Sequence, residues 1–175
     1  NELMGRLAAN TQVGYSFDQE FYTSDAVFKA DFDQIISQKW LLAGHVSRIP
    51  NKGDYFLYRV GNEQIIVIRE NSESVRAFFN VYRHRGSTIC QSESGNAPRL
   101  VCPYHAWTYN LDGTLRGAPA MMHNEGFCKD QVSLPQIRCV DWLGWIMVTL
   151  NPDAPLPHDR LKGVQDLVGY LDMGS

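Results

Sequence analysis

The sequence has little of what would bind it to nucleic acid or hold it in a membrane. Sixteen lysine and arginine residues stand against nineteen aspartate and glutamate residues, and the net charge of −3 excludes a strongly basic nucleic-acid-binding domain. No run reaches the roughly 18 apolar residues that a membrane-spanning helix needs. The first five residues lack the basic and apolar regions of a signal peptide. We therefore expect a cytoplasmic protein without nucleic-acid or membrane partners.

Cysteine is also scarce, with four residues at positions 90, 102, 128 and 139. Without a secretory signal, we expect free thiols or metal ligands rather than two disulfides. Stability does not require a disulfide, because 175 residues of which 44% are hydrophobic can form a core. That length fits one domain, or one domain and part of another. Histidines close to these cysteines are therefore the first candidates for chemistry.

A helical pattern precedes a series of short strands. Apolar residues at spacings of three and four predict one helix that starts at Ser24 and packs on a core. They are Phe28, Phe32, Ile35, Ile36 and Trp40. After Pro50, segments 55–60, 65–69 and 75–80 are separated by turn residues and predict a meander of three antiparallel strands.

Further patterns lie later in the chain. Asp112 and Gly113 predict a hairpin, because glycine supplies the positive φ of the turn. The apolar run at 140–150 predicts one late buried strand. The three prolines at 151–157 predict a stiff linker. Helical spacing resumes at 161–171, which predicts the opening helix of a second domain.

Two segments that follow predicted strands bring histidine near cysteine. One has the sequence Asn-Val-Tyr-Arg-His-Arg-Gly at 80–86, and the other has Val-Cys-Pro-Tyr-His at 101–105. A Cys-x2-His pair can close on one metal ion, and a histidine from a neighbouring loop can add a ligand. Glycine or proline in each segment favours a tight turn, as in metal-binding loops on a rigid β scaffold. We therefore take His84, Cys102 and His105 as candidate metal ligands.

Residues 77–115 resemble the Rieske iron–sulfur domain of the large (alpha) subunit of bacterial ring-hydroxylating and related Rieske non-haem iron oxygenases. That family has a Cys-x-His motif, a spacer of about 15 to 17 residues and a Cys-x2-His motif. Here Tyr82-x-His84 is followed by seventeen residues and then by Cys102-x2-His105. The spacing and the residues around each motif match the family.

The wider frame of the chain matches the same family, including the Asn-Pro-Asp-Ala-Pro segment at 151–155. The resemblance implies a mostly β fold of Rieske-type antiparallel β-sheets with metal-binding loops, an N-terminal helix and a C-terminal helix. It divides the chain into an N-terminal helical segment at 1–45, a Rieske domain at 46–150, and a linker at 151–175 with the start of a truncated catalytic domain.

The resemblance also implies a [2Fe–2S] cluster in which His84 and His105 bind the outer iron and Cys102 binds the inner iron. Imidazole in place of thiolate raises the reduction potential above that of all-cysteine clusters, which suits an electron relay. Three further residues would line the cluster: Arg83, Tyr104 and Trp107.

Tyr82 stands where the family has its first cysteine. A phenol is a hard ligand with an ordinary pKa of about 10, whereas the inner iron requires a soft thiolate. Three interpretations stay open: a lost ligand that leaves the cluster damaged or absent; another metal, zinc or a single iron, at His84, Cys102 and His105; or a cluster held by a substitute ligand. Tyr82 itself and Cys90 are the candidates for that substitute.

The resemblance implies that the chain is the electron-transfer part of an oxygenase and is not catalytic alone. Electrons would pass from a reductase or ferredoxin to a mononuclear Fe(II) in the catalytic domain of the same or a neighbouring subunit of a homotrimer. The whole would be a dioxygenase or monooxygenase for O2-dependent hydroxylation or oxidative demethylation, as in aromatic hydrocarbon catabolism. Two alternatives stay open: a Rieske-fold module that is cluster-free or binds zinc, and a stand-alone Rieske ferredoxin.

Overall fold

The computed structural model describes residues 2–10, 12–81, 86–119, 121, 125–171 and 173. The chain divides into two compact units, Asn1–Lys39 and Trp40–Ser175. Within the described residues, the first unit is helical and the second holds every β-strand.

The first unit contains helices α1 (Glu2–Ala9), α2 (Gln19–Thr23) and α3 (Asp25–Gln34). Ser24 is the N-cap of α3, as the helical pattern predicts. The helix nevertheless ends at Gln34, so the apolar pattern that reaches Trp40 is not one helix. Phe28 and Ile35 are 60% and 53% exposed. The predicted continuous, core-packed face is therefore wrong.

Side chains compete for a carbonyl group at the end of α3. Ser37 Oγ donates a hydrogen bond to Asp33 O at 3.0 Å, and Gln38 Nε2 donates to the same oxygen at 3.2 Å. The backbone N–H of residue 37 would need this acceptor to continue the α-helix. The chain instead tightens into a short 3-10 turn at Ile36–Gln38.

The described part of the second unit forms two antiparallel sheets. Their strands are β1 (Leu41–His45), β2 (Asp54–Val60), β3 (Glu63–Arg69), β4 (Val75–Phe79), β5 (Ser94–Asn96), β6 (Leu100–Val101), β7 (Thr108–Tyr109), β8 (Leu115–Gly117), β9 (Gln136–Trp142) and β10 (Trp145–Thr149). The larger sheet has the order β1-β10-β9-β4-β3-β2-β5, and the smaller sheet has the order β6-β7-β8. The mostly β fold is confirmed, and the predicted meander is β2, β3 and β4.

One end of the larger sheet differs from the sequence prediction in two places. Residues 41–45, which the resemblance assigns to the helical segment, form β1 and pair with β10. The run at 140–150 is two strands rather than one, because Leu143 and Gly144 form a turn with φ of +52° and +83°. Asp141 Oδ1 accepts a hydrogen bond from Gly144 N at 2.8 Å within this turn. The sequence does not predict this turn, because leucine seldom takes a positive φ.

One hydrophobic core joins β2, β3 and β4 to the smaller sheet. Cys90, Cys102 and Trp107 belong to this core although they lie on loops. The predicted hairpin between β7 and β8 is confirmed, with Gly113 at a φ of +86° and its Cα directly beside the buried ring of Phe78. The core therefore supports the segment that carries the Cys-x2-His motif.

The proline-containing segment at 151–157 is hydrogen-bonded to neighbouring residues of the second unit. Arg138 on β9 donates to Pro152 O at 2.8 Å and to a second carbonyl of the segment. Trp40 Nε1 donates to Pro155 O at 2.6 Å. Helix α4 (His158–Val168) follows. None of the described helices is long and apolar enough to cross a bilayer.

Candidate metal centre

The second ligand loop, residues 102–107, is a tight turn between β6 and β7. Cys102 N donates a hydrogen bond to Trp107 O at 2.9 Å, and Ala106 N donates to Cys102 O at 3.0 Å. Ala106 takes a φ of +57°, a left-handed conformation that is uncommon for alanine. One short, hydrogen-bonded turn therefore carries both Cys102 and His105.

The candidate ligands on this turn differ in exposure. Cys102 is fully buried in the core, whereas His105 is partly buried. Trp107 is buried, and its ring meets that of Phe127 edge to face at a centroid distance of 5.6 Å. Tyr104 is 58% exposed, and its ring centroid lies 4.0 Å from that of His105. The thiol therefore lies on the inner side of the turn, and the imidazole is partly exposed although its Nδ1 is buried.

The first ligand loop spans residues 81–90, and its described part at 86–90 lies against the second loop. Gly86 has a φ of +68°, and Ser87 Oγ lies 3.6 Å from Cys102 Sγ, within hydrogen-bond distance for sulfur. The predicted site residues Tyr82, Arg83 and His84 lie outside the described residues. Within the described part, no three His, Cys, Asp or Glu side chains group to hold a metal ion. Of the three ligands that the motif predicts, Cys102 and His105 therefore have a described position, as has the candidate substitute Cys90.

Cys90 lies in the core, where its thiol is hydrogen-bonded to the hydroxyl of Tyr55. Burial raises the pKa of the Cys90 thiol to about 12, although the hydrogen bond with Tyr55 acts in the opposite direction. Burial alone does not set Cys90 apart from Cys102, which is also buried, but the Tyr55 hydroxyl and the core side chains already surround the Cys90 thiol. The described geometry therefore favours Cys90 as a core residue over Cys90 as a substitute ligand.

Replacing Cys90 with serine is expected to leave the metal content unchanged, because serine keeps the hydrogen bond with Tyr55 and the position is not needed as a ligand. Iron, zinc and acid-labile sulfide would be measured per chain after reconstitution. Cys102→Ser is the comparison and is expected to lose bound metal. Loss of metal from Cys90→Ser in a protein with unchanged far-UV circular dichroism would identify Cys90 as a ligand.

The remaining two cysteines lie outside both ligand loops. Cys128 is exposed, whereas Cys139 is partly buried on β9. Burial, with a smaller contribution from Asp141, raises the pKa of the Cys139 thiol to about 12. All four cysteines are described, and all are free thiols.

The amino-acid sequence around this turn identifies the protein family to which the chain belongs. Residues 39–138, more than half of the chain, match the family model of the Rieske [2Fe-2S] domain. The chain belongs to this family. The Rieske assignment agrees with the antiparallel fold and with the inner thiol and outer imidazole of the second ligand loop.

Proteins similar to this chain include oxygenases and their subunits. The glycine betaine monooxygenase oxygenase subunit of Pseudomonas aeruginosa is 37% identical over 159 residues, which cover 91% of this chain and 37% of that protein. A quaternary ammonium Rieske monooxygenase, whose structure is described with carnitine oxidation by gut microbiota and inter-subunit electron transfer, aligns with a TM-score of 0.81. It is 33% identical, over 94% of this chain and 45% of the other.

A third similar protein acts on a different kind of substrate. Naphthalene 1,2-dioxygenase from Rhodococcus sp., bound to indole, aligns with a TM-score of 0.84 and 27% identity over 98% of this chain and 40% of the other. This Rieske domain therefore spans less than half the length of each of the three proteins.

The described residues fit the [2Fe–2S] cluster that a Rieske domain implies. Cys102 offers a thiol shielded from water, and the hydroxyl of Ser87 can donate a hydrogen bond to its sulfur. His105 offers a partly exposed imidazole, as expected of a ligand to the outer iron. Tyr82 is the departure from this donor set, because it supplies a phenol where the motif has a thiol. The motif spacing gives no sign of Ser87, whose hydroxyl meets Cys102 only because the first ligand loop folds back.

Proposed function

We propose that this Rieske domain is the electron-transfer part of an O2-dependent oxygenase and that Tyr82 impairs its cluster. Electrons would pass from a reductase or ferredoxin through the domain to a mononuclear iron in a catalytic domain. One observation carries the proposal: a single turn presents the buried thiol of Cys102 and the partly exposed imidazole of His105. A relay needs this combination, because its metal must be shielded from water yet reachable at one edge.

Each residue of the proposed centre has a distinct task. Cys102 would hold the inner iron, and His84 and His105 would hold the outer iron. A [2Fe–2S] cluster bound in this way exchanges one electron at a reduction potential raised by its two imidazole ligands. The buried ring of Trp107 excludes water from the inner side of the turn, and the ring of Tyr104 contacts His105 at the exposed edge. We expect electron donor and acceptor to approach at this edge.

Tyr82 is expected to weaken cluster binding rather than the fold. The side chain is longer than cysteine, and its phenol ordinarily holds a proton up to a pH of about 10. An inner iron with only one thiolate lacks half of the soft donors that such a cluster requires. In this proposal the chain therefore binds the cluster incompletely, and Arg83, which precedes His84 in the sequence, keeps its proposed role as a residue that lines the cluster.

The sequence prediction of a helical segment at 1–45 and a Rieske domain at 46–150 is revised at one boundary, because residues 41–45 form β1 of the sheet and the family match begins at residue 39. The helical segment before β1 would precede the Rieske domain, and residues 151–175 would lead into the catalytic domain. Support comes from the length of the similar oxygenases, of which this chain spans less than half. Transfer between neighbouring subunits of a homotrimer is supported by the inter-subunit electron transfer described for the quaternary ammonium monooxygenase. A cytoplasmic location is part of the same proposal.

The reaction of the whole protein is proposed to be hydroxylation or oxidative demethylation of a quaternary ammonium compound. Glycine betaine and carnitine are the compounds named for the two similar monooxygenases, which are 37% and 33% identical to this chain. The role in aromatic hydrocarbon catabolism that the resemblance implied is not supported by these quaternary ammonium relatives. The catalytic domain would determine which of the two substrate classes the whole protein oxidises.

Visible absorption and metal analysis of the purified protein test the electron-transfer role. We expect a reddish-brown chain with less than full occupancy, containing iron and acid-labile sulfide in equal amounts. A colourless protein without iron, both before and after reconstitution, would contradict the role for this chain.

A zinc-binding Rieske-fold module is the second candidate, because Tyr82 leaves His84, Cys102 and His105 as one thiolate and two imidazoles. Zinc commonly binds such donors in a tetrahedral site. One zinc per chain that resists exchange for iron and sulfide would favour this module. Zinc that iron and sulfide displace would favour the electron-transfer domain instead.

A further inference from the structure

Asn80 is a buried polar residue at the base of the first ligand loop, with an exposed fraction of 1%. Its Oδ1 accepts hydrogen bonds from Ile89 N and Cys90 N, both at 2.9 Å. Its Nδ2 donates to Cys90 O at 2.8 Å and to Gln64 Oε1 at 2.7 Å. The side-chain amide therefore uses both of its donors and both acceptor positions, and no other residue type offers this set in the same volume.

These four hydrogen bonds join three separate segments. Asn80 directly follows β4, and its backbone N–H donates to Gln64 O on β3 at 2.7 Å. Ile89 and Cys90 lie on the returning side of the first ligand loop and are core residues. Asn80 thus ties the outgoing and returning ends of the loop to each other and to β3. The returning end is also where Ser87 meets the sulfur of Cys102.

We propose that Asn80 is a positioning residue for the metal centre: it fixes the base of the first ligand loop and thereby holds that loop against Cys102. The inference rests on the proposed function, because the loop carries positions 82 and 84 of the Rieske motif. Asn80 acts through the backbone of Ile89 and Cys90 and not by contact with the metal.

Substitutions at this position separate the two halves of the amide. Asn80→Ala leaves the backbone N–H groups of Ile89 and Cys90 and the carbonyl of Cys90 unpaired in a buried place. Asn80→Asp keeps acceptors for the two N–H groups but turns a second oxygen towards Cys90 O and Gln64 Oε1. We therefore expect both variants to loosen the loop.

Thiol labelling of the metal-free chain tests the positioning role without depending on the cluster. Cys102 is fully buried, so iodoacetamide reaches it only when the structure opens locally. The loss of several buried hydrogen bonds is expected to make Cys102 react about tenfold faster in Asn80→Ala. Asn96→Ala is the control, because the exposed side chain of Asn96 donates hydrogen bonds to Lys52 O and Asp54 Oδ1 at the β5 edge of the sheet. Cys102 in this variant is expected to react at the same rate as in the parent.

Urea unfolding of the same samples reports general stability, because Cys139 outside the ligand loops is partly exposed and can be labelled in the folded chain. Mass spectrometry of the Cys102 peptide would give its labelling rate. Labelling of Cys102 that accelerates by more than the loss of unfolding free energy accounts for supports the proposal. Acceleration that matches this loss, or no acceleration of Cys102, would overturn it, because Asn80 would then be a residue of general stability or of no importance.

Iron retention tests whether the hydrogen bonds of Asn80 affect the metal centre itself. In the Tyr82→Cys chain loaded with iron and sulfide, the additional Asn80→Ala change is expected to speed iron loss to a chelator, whereas Asn96→Ala is not. Unchanged iron loss in a chain whose Cys102 has become reactive would refute the positioning role. If the Tyr82→Cys chain takes up no iron, the proposed function fails, and the labelling rates alone decide the role of Asn80.

Discussion

Replacing Tyr82 with cysteine is expected to create or improve a reducible [2Fe–2S] cluster when the purified chain is reconstituted with iron and sulfide. The reason is chemical, because the substitution supplies the soft thiolate that the inner iron requires at the first motif position. Cys102 is already buried, with its Sγ 3.6 Å from Ser87 Oγ, and His105 is already partly exposed. Iron, acid-labile sulfide and visible absorption per chain would all increase over the unchanged protein.

Tyr82→Phe is the matched control, because it removes only the phenolic oxygen. If Tyr82 itself serves as a substitute ligand, the phenylalanine variant loses the metal that the unchanged chain holds. If Tyr82 is a lost ligand, the phenylalanine variant and the unchanged chain hold equal amounts. A Tyr82→Cys protein that stays colourless with His84, Cys102 and His105 intact would show that the assignment of position 82 is wrong.

Replacing Gly113 with alanine is expected to destabilise the second unit strongly. The φ of +86° at Gly113 is in a region that L-residues avoid, and an added Cβ would overlap Cε1 of the Phe78 ring. Phe78 is buried in the core and cannot turn aside without opening a gap elsewhere. Backbone strain and overpacking together should lower the free energy of unfolding by about 2–5 kcal/mol.

Gly117→Ala is the control for that loss. Gly117 ends β8 of the same small sheet, and nothing lies within 4 Å of the Cβ that alanine would add. Urea unfolding curves followed by tryptophan fluorescence would compare the two variants with the parent. Equal midpoints for Gly113→Ala and Gly117→Ala would contradict the close approach of the hairpin to Phe78.

Local signals account for the parts of the fold that could be predicted. The strands of the meander are bounded by turn residues, and Asp112 and Gly113 announce their hairpin. The turn at Leu143 could not be predicted, because leucine in a left-handed conformation has no local signature. The turn is stabilised by the hydrogen bond from Gly144 N to Asp141 Oδ1. β1 escapes for a different reason: its partner β10 lies about a hundred residues later, and only the long-range pairing makes it a strand.

The candidate site divides in the same way. Cys102 and His105 lie three positions apart in a motif, so their common turn follows from the sequence. Ser87 and Asn80 carry no motif of their own, since their partners come from other segments of the chain. Cys90 shows the limit of residue type as a guide, because only the contact with Tyr55 and the core separates a buried thiol from a candidate ligand.

The midpoint reduction potential of the reconstituted chain tests the central claim most directly. It would be measured by spectroelectrochemistry on the unchanged protein and on Tyr82→Cys. An electron-transfer centre with two imidazole ligands predicts a one-electron couple between about −150 and +300 mV in the fraction that carries a cluster. A couple at about −400 mV, which is typical of plant-type ferredoxin clusters, would contradict the claim. So would a colourless protein that binds only zinc.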